Sequence, residues 1–413
     1  MKALTVHEAE REIPVAGTYD VVVAGGGIAG VAAAVAAARC GATVCLIEKQ
    51  SALGGLATLG NVIVWLPICD GRGRQVIGGL GEELLRLSVT ELRQDNPQAH
   101  FVGIPACWRS DGDPAERSKV RFQVEFNPAS YFFALEKLVT AAGVKLLYDT
   151  RVCAAFAATD RISHLAIENK SGRLALACRT VVDATGDADV CALAGEATES
   201  LDSNVLCAWF YYTRDGVLCQ EALSNGYSPQ ATRSGAVGPF FRGNDGEQVT
   251  AQILGSRDLV RSRLAELRAR NPQADIQLIL PPSIACFRMT RRLVGAFSLG
   301  ERHMHEWFAD TVGLTGDWRR AGPVYALPFR ALCGVRNRNL LAAGRCMSAD
   351  TTVWDVTRAI PACAVTGEAA GTAAALAVRE ADGDLRRLDV ARLQGTLRRH
   401  GGLLDPALVA PAT

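Results

Sequence analysis

Three consecutive glycines between a strand-like run and an alanine-rich run constrain this chain more than any other feature. Residues 21–24 are Val-Val-Val-Ala, the glycines follow, and Gly30 comes after two further residues. The pattern G-x-G-x-x-G therefore uses Gly25, Gly27 and Gly30, between a predicted strand and a predicted helix that reaches about Cys40. The first glycine permits a tight turn, the second lets a phosphate approach the backbone, and the third lets the helix pack closely against the strand. The segment predicts a strand, a turn and a helix.

The same stretch also meets the minimum length of a membrane helix, because residues 21–38 carry no charge. The glycines in its middle and the β-branched residues at its start favour the strand–turn–helix interpretation instead. We therefore expect no membrane partner.

A second predicted strand, residues 43–47, follows the helix and ends at Glu48, 18 residues after Gly30. A β-α-β unit with an acid at this place is typical of nucleotide binding. The start of the helix, at Ile28 and Ala29, offers N–H groups and a positive dipole to phosphates, and Glu48 is expected to accept hydrogen bonds from a ribose. The unit alone does not distinguish NAD from FAD.

The residues after Glu48 do distinguish them. Five residues separate it from Gly54-Gly55. This E-x5-G-G extension resembles the signature of flavoproteins related to glutathione reductase and to the fumarate reductase flavoprotein subunit, whose chains run back along FAD at this point. The alternative is an ordinary Gly-Gly surface turn. The resemblance implies FAD as cofactor, with contacts from Lys49, Gly54, Gly55, Leu56, Ala57 and Thr58.

Two later segments agree with this interpretation. Residues 180–187 predict a strand and a glycine turn that resemble the second contact of such proteins near the ADP moiety, after a predicted hairpin of residues 151–153 and 162–167. Residues 339–345 predict a strand that leads to an Ala/Gly-rich helix from Pro361, whose positive end would face the flavin. The resemblance assigns further cofactor contacts to Val152, Ala184, Thr185, Gly186, Asp187, Gly344, Arg345, Asp355 and Ile360.

Taken together, these motifs resemble the broad family of FAD-dependent oxidoreductases allied to the fumarate reductase and glutathione reductase superfamily, over roughly residues 19–380. The resemblance extends to residues 54–61, 287–295, 317–319, 339–348 and 355–361. It implies an α/β fold: a Rossmann-type, glutathione-reductase-like FAD-binding domain with an inserted α+β substrate domain. We expect the FAD-binding domain at residues 18–64, 122–200 and 335–382, the substrate or cap domain at 65–121 and 201–334, and a C-terminal helix and tail at 383–413.

Composition limits the partners. The formal net charge is +1, which argues against a dedicated nucleic-acid surface.

Thirteen cysteines without a C-x-x-C and only six histidines give no spacing for a metal. We expect most cysteines, Cys69 and Cys346 included, to be small buried side chains in a reducing cytoplasm. Residues 1–14 contain no apolar run of a signal peptide. A small-molecule substrate is the expected partner, and a homodimer is compatible with the sequence.

Arginines in the second half of the chain are candidate substrate ligands. Arg288 and Arg291, with Arg292 beside them, could bind a carboxylate bidentately. The alternatives are a β-strand whose exposed edge carries charges and an ion-pair network within the domain. Arg358 precedes the helix expected beneath the flavin, where it could hold an anionic substrate, and a salt bridge to Asp355 is the alternative.

Two histidines are candidates for a general base near neutral pH, because His303 and His305 alternate in a chain that has few. A solvated helix start is the alternative. Their i,i+2 spacing on a helix would make the rings diverge, so we expect no metal there.

The sequence therefore predicts an FAD-dependent oxidoreductase of the dehydrogenase or oxidase type. It would transfer a hydride between flavin N5 and a C–N, C–O or C–C centre of a small anionic metabolite. Two alternatives stay open: a flavin monooxygenase that uses NAD(P)H, although the chain has no second complete G-x-G-x-x-G in a strand–helix context, and an electron-transfer subunit without its own substrate.

Overall fold

The computed structural model describes residues 5–92, 101–224 and 238–411. The helices of this part of the chain are α1 (Ile28–Arg39), α2 (Gly79–Ser88), α3 (Pro128–Ala141), α4 (Asp189–Leu193), α5 (Gly246–Arg270), α6 (Thr351–Thr357), α7 (Ile360–Glu380), α8 (Val390–Arg399) and α9 (Pro406–Val409). In the sequence, residues 78–94 have the hydrophobic periodicity of a helix, but α2 ends at Ser88, and residues 93 and 94 lie outside the described chain.

The strands vary in length from 2 residues in β3 to 12 in β8. They are β1 (Val15–Ala24), β2 (Val44–Ile47), β3 (Val64–Trp65), β4 (Val124–Glu125), β5 (Lys145–Leu147), β6 (Arg151–Ala158), β7 (Arg161–Asn169), β8 (Gly172–Asp183), β9 (Thr198–Ser200), β10 (Cys207–Arg214), β11 (Val217–Ser224), β12 (Ile276–Leu280), β13 (Arg291–Leu293), β14 (Thr311–Gly316), β15 (Val324–Pro328) and β16 (Leu340–Ala342).

The largest sheet has the order β5-β2-β1-β8-β7-β6, and β16 also pairs with β8. The β5–β2, β2–β1, β1–β8 and β16–β8 pairs are parallel, whereas β6, β7 and β8 form an antiparallel meander. Val21, Val22 and Val23 of β1 are fully buried, which is why this strand is a continuous apolar run rather than an alternating one. The α/β fold of the Rossmann type is confirmed, and so is the hairpin of β6 and β7.

A smaller three-stranded sheet, β11-β10-β12, is antiparallel and packs against the long helix α5. Phe210 of β10 and Val260 and Leu264 of α5 are buried in a hydrophobic cluster of their own. This separate core, between the parts of the chain that form the large sheet, gives residues 207–224 and 246–280 an α+β arrangement.

Helix α7 is the one described helix that is long and apolar enough to span a membrane, with a mean hydropathy of 1.2 over 18 residues. Within the protein, 94% of that window is buried.

Helices α1 and α7 touch along glycines of α7. A Cβ atom added to Gly367 would lie 2.1 Å from the carbonyl oxygen of Ala29, and one added to Gly371 would lie 2.0 Å from that of Ala33. Both contacts advance by four residues along each helix, so the two helices run parallel. The close approach leaves no room for any side chain at either glycine.

We therefore expect Gly371→Ala to destabilise the protein by several kcal/mol, although alanine favours a helix interior by about 1 kcal/mol over glycine. Gly395→Ala in α8 is the matched control, because the nearest atom to its added Cβ is the flexible end of Arg399, 3.6 Å away. That substitution should be neutral or stabilising. Denaturant unfolding of both variants measures the effect, and equal stability of the two would contradict this account of the helix contact.

A second contact of α7 ties it to α2. The Glu368 carboxyl is buried, and its Oε2 accepts a hydrogen bond of 2.9 Å from the backbone N–H of Leu80 in the first turn of α2. Burial raises the pKa of Glu368 from its ordinary value of 4.5 to about 8. The folded protein therefore holds a proton there over a pH range in which the unfolded chain has released it.

The stability of the protein should consequently fall as pH rises from about 4.5 to about 8, since each unit of raised pKa corresponds to about 1.4 kcal/mol. Glu368→Gln keeps a carbonyl oxygen for Leu80 and cannot ionise, so it should gain stability over the wild type progressively across this range. Free energies of unfolding at pH 5 and pH 8 test this. Parallel pH profiles of the two proteins would show that Glu368 does not titrate in this way.

Candidate functional site

The glycine turn after β1 is held by contacts that exclude other residues. Gly25 has a φ of +101°, and its N–H donates to Ile47 O over 2.7 Å. A Cβ on Gly25 would lie 2.4 Å from the carbonyl oxygen of Ala184, and one on Gly30 would lie 1.7 Å from that of Gly25. The turn thus joins the ends of β1 and β2 to the end of β8 at one edge of the sheet.

The buried carboxylate of Glu48 holds this turn by a hydrogen bond to its backbone. Its Oε2 accepts a hydrogen bond of 2.6 Å from the N–H of Gly26, and its Oε1 accepts one of 2.7 Å from Gln50. The residue is buried. A carboxylate has about four acceptor sites, so the expected ribose contact stays compatible with these bonds. The sequence did not reveal that Glu48 also orients the phosphate turn.

The chain after Glu48 returns to the turn, as the E-x5-G-G extension predicted. The N–H of Gly54 donates to Gly26 O over 2.8 Å, and Gly27 and Gly54 form a parallel bridge. Thr58 secures the following turn through a 2.5 Å hydrogen bond from its Oγ1 to Leu53 O. Gly55, Leu56 and Ala57 form a short 3-10 helix between them.

The N-terminus of α1 is open. Gly27 caps it without any side-chain hydrogen bond, and an added Cβ at Gly27 would meet no atom within 4 Å. The first N–H groups of a helix lack partners within it, so Ile28, Ala29 and Gly30 can offer theirs to an anion together with the helix dipole.

Helix α7 shares this property. Its N-cap residue, Ala359, makes no side-chain hydrogen bond, and Ile360 and Pro361 open the helix. The helices α3, α5, α6, α8 and α9, in contrast, are capped by the side chains of Asn127, Asp245, Asp350, Asp389 and Asp405. Helices α2 and α4 also lack a side-chain cap, but α1 and α7 are the two helices for which the sequence predicts contact with pyrophosphate and flavin.

Arg345 connects two of the predicted cofactor segments. Its guanidinium lies 3.4 Å from the carboxylate of Asp187 and also donates to Phe287 O. A Cβ at Gly186, which has a φ of +79°, would lie 2.4 Å from its Nη2. The N–H of Gly344 donates to Thr366 Oγ1 of α7 over 2.9 Å.

The remaining predicted cofactor residues lie on both sides of these segments. Thr185, next to Ala184, hydrogen-bonds through N and Oγ1 to Asp183. Val152 lies in β6, shortly after Thr150, whose N–H donates to Glu48 O over 3.1 Å. The side chain of Lys49 is close enough to Asp189 for its charge to act on that carboxyl.

Arg291 and Arg292 take part in ion pairs with the protein itself. Arg291 lies 2.7 Å from Asp189 and donates to the backbone carbonyl of Asp187. Arg292 lies 2.7 Å from Glu199. This is the ion-pair network that the sequence left open as the alternative to carboxylate binding, and it leaves the substrate role of Arg291 without geometric support.

The two histidines are also tied into the structure. His303 is buried, accepts a 2.9 Å hydrogen bond from the N–H of Gly300 at Nδ1, and packs against Phe297 and Phe308. The ring of His305 hydrogen-bonds through Nδ1 to Val409 O over 2.6 Å. None of these partners belongs to the phosphate turn or to the cofactor segments, so the general-base role stays a prediction without a contact to support it.

Arg358 forms the salt bridge to Asp355 that the sequence gave as its alternative. Arg319 lies 3.5 Å from the same carboxylate and binds Asp317 with two nitrogens at 2.8 Å. Although burial opposes it, the hydrogen bonds from Arg319 hold the pKa of the Asp317 carboxyl below its usual value. Asp355, assigned to the cofactor by resemblance, is thus enclosed in a charged network at the turn before α7.

Arg288 differs from these arginines. It is half-buried, and its Nη2 lies 3.5 Å from the sulfur of Cys207. Among residues 5–92, 101–224 and 238–411, no carboxylate forms an ion pair with it within 4 Å. The nearby backbone is joined to the cofactor loop, since Ser283 N–H donates to Leu59 O over 2.8 Å. Arg288 is therefore a cation next to the loop that follows Gly54 and Gly55.

Comparison with known proteins agrees with this geometry. The family model for FAD-dependent oxidoreductases matches residues 20–203 and 274–397, more than half of the chain. A soluble pyridine nucleotide transhydrogenase of Chromohalobacter salexigens is 32% identical over 133 residues, which are 32% of this chain and 25% of the transhydrogenase. The chain thus spans about a quarter of that relative.

Among solved structures, the chain resembles a geranylgeranyl bacteriochlorophyll reductase-like protein from Thermoplasma acidophilum, with 12% identity and a TM-score of 0.47 over 94% of this chain and 84% of that one. The p-nitrophenol 4-monooxygenase of Pseudomonas putida has 12% identity and a TM-score of 0.43 over 92% of this chain and 83% of that one.

The ordered glycine turn, the returning loop at Gly54 and the uncapped N-termini of α1 and α7 fit a cofactor with a pyrophosphate and an electron-accepting ring. The family match covers the same segments. The chain belongs to the family of FAD-dependent oxidoreductases, and FAD is its cofactor.

Proposed function

We propose that this protein transfers a hydride between flavin N5 and a small anionic metabolite, at a C–N, C–O or C–C centre. The observation that carries the proposal is Arg288, a half-buried guanidinium beside the loop that follows Gly54 and Gly55 and without an ion-pair partner within 4 Å in the described chain. A guanidinium in that state is suited to bind a carboxylate bidentately.

The residues of this chain have separate tasks in such a reaction. The N-terminus of α1 at Gly27 would hold the pyrophosphate, and the N-terminus of α7 at Ile360 would stabilise negative charge on the reduced flavin. Arg288 orients the substrate. The bound FAD supplies the two-electron chemistry.

Two other functions remain candidates. A monooxygenase would oxidise NADPH rapidly when its substrate is added, and the similarity to a transhydrogenase, whose name indicates a pyridine nucleotide substrate, favours including NADH and NADPH in any screen. An electron-transfer subunit would show no bleaching of its flavin by any metabolite.

Flavin retention tests the cofactor site. Gly27→Asp should abolish it, because the carboxylate would stand at the open end of α1 and repel the pyrophosphate. Gly27→Ala is the matched control and should fold and bind FAD more weakly but detectably, since an added Cβ meets no protein atom within 4 Å. The ratio of flavin to protein absorbance after reconstitution gives the result, with unfolding midpoints as the check on folding. Equal retention by Gly27→Asp and the wild type would contradict the site.

The substrate class is tested by an anaerobic screen in which metabolites are scored for bleaching of the flavin. For an anionic hit, Arg288→Ala should raise KM about tenfold to a hundredfold, the loss expected for a charge-assisted hydrogen-bond pair. Arg291→Ala is the control, because its guanidinium is bound to Asp189 and its loss should lower stability and leave KM unchanged. Bleaching only by neutral metabolites, with no effect of Arg288→Ala, would exclude this assignment.

A further inference from the structure

The two faces of strand β10 have different surroundings. Phe210 and Tyr212 belong to the hydrophobic cluster that includes residues of α5, so they point to the outer face of the small sheet. Successive side chains of a strand point to opposite faces, which places Cys207, Trp209 and Tyr211 together on the inner face. Trp209 and Tyr211 accordingly pack against the main core, which also contains residues of α1 and α7.

Arg288 reaches this inner face at Cys207. Its Nη2 lies 3.5 Å from the Cys207 sulfur, and its backbone N–H donates to Oδ1 of Asn204 over 2.8 Å. The preceding residue, Phe287, accepts a hydrogen bond at its carbonyl oxygen from Arg345. The backbone next to Arg288 is therefore tied to a predicted cofactor residue, while its guanidinium lies at the inner face of the sheet.

Trp209 is the aromatic side chain of the inner face that stays accessible. It is half-buried, whereas Tyr211 is 4% exposed and packs edge-on against Phe101, with 6.4 Å between the ring centroids. Within residues 5–92, 101–224 and 238–411, the indole of Trp209 donates no hydrogen bond and pairs with no other aromatic ring or guanidinium. Ring contacts of this kind exist for four other tryptophans, namely Trp65, Trp108, Trp318 and Trp354. Trp209 therefore offers an aromatic surface and an N–H donor to a ligand.

The loop that follows Gly54 and Gly55 fixes the position of this indole. Asn61 of that loop is 1% exposed and donates through Nδ2 to the carbonyl oxygen of Trp209 over 3.1 Å. Since Cys207 and Trp209 are two residues apart on one face, their Cα atoms are about 7 Å apart. This spacing suits an acid whose single ring is attached close to its carboxylate. A carboxylate at Arg288 would then place the ring against Trp209.

We propose that the substrate of this protein is an aromatic acid, whose carboxylate binds Arg288 and whose ring packs against Trp209. The inference rests on the proposed function, to which it adds the chemical class of the metabolite. An aromatic ring on an indole gains more affinity than its buried area provides, whereas a saturated ring of similar size gains only the area term. Trp209 is thus a specificity-determining residue, and Arg288 supplies the charge-assisted hydrogen bonds to the acid group.

Calorimetric titration of the FAD-loaded protein with benzoate and with cyclohexanecarboxylate tests this, because the two acids differ mainly in the aromaticity of the ring. Benzoate should bind about threefold to tenfold more tightly. Trp209→Leu should remove this preference, and Trp209→Phe should keep it. Trp307→Leu is the matched control, since Trp307 is also half-buried and its ring also lacks an aromatic or guanidinium partner in the described chain. It should bind both acids like the wild type.

Arg288→Ala separates this inference from the proposed function. It should weaken the binding of both acids by the same factor, about tenfold to a hundredfold. Equal affinities of the wild type for the two acids, or a preference for benzoate that Trp209→Leu retains, would overturn the aromatic class, while an effect of Arg288→Ala would still support an anionic substrate. Loss of FAD from a folded Trp209→Leu variant would place the indole against the cofactor and also overturn the inference. Failure of both acids to bind, or their unchanged binding by Arg288→Ala, would contradict the proposed function itself.

Discussion

The contact between α1 and α7 organises the cofactor end of the molecule. Gly367 and Gly371 place the backbone of α7 against the carbonyls of Ala29 and Ala33, closer than any side chain would permit. Because the contacts advance together along both helices, the helices run parallel and both uncapped N-termini point the same way. This pair of helices also places the segments that lead into it. The glycine turn after β1 leads into α1, and β16 and the charged network at Asp355 come before α7.

Sequence and structure agree where the information is local. The turn at Gly25, the return of the chain at Gly54 and the strand that ends near Ala184 each require particular residues at fixed spacing, and each is confirmed as a backbone arrangement. The sequence also predicts a helix within residues 383–413, and α8 lies there, after its capping residue Asp389. Steric requirements between residues close in the chain can therefore be recognised in a single sequence.

Contacts between residues that lie far apart in the chain could not be predicted from the sequence in this way. Nothing near Arg291 in the sequence indicates Asp189, and nothing near His305 indicates the carbonyl of Val409, so arginines and histidines chosen by residue type were found in contacts within the protein.

The register of the two helices also fixes the offset between their N-termini, and therefore the length of a ligand that contacts both. Gly367 lies seven residues into α7, whereas Ala29 lies one residue into α1, so the start of α7 extends beyond that of α1 by about six residues, or about 9 Å at 1.5 Å per residue. Two anion-stabilising ends are therefore set at a fixed offset by backbone contact alone. An extended ligand can therefore place a phosphate at one helix end and a second electron-rich group at the other, whereas a compact anion reaches only one of them.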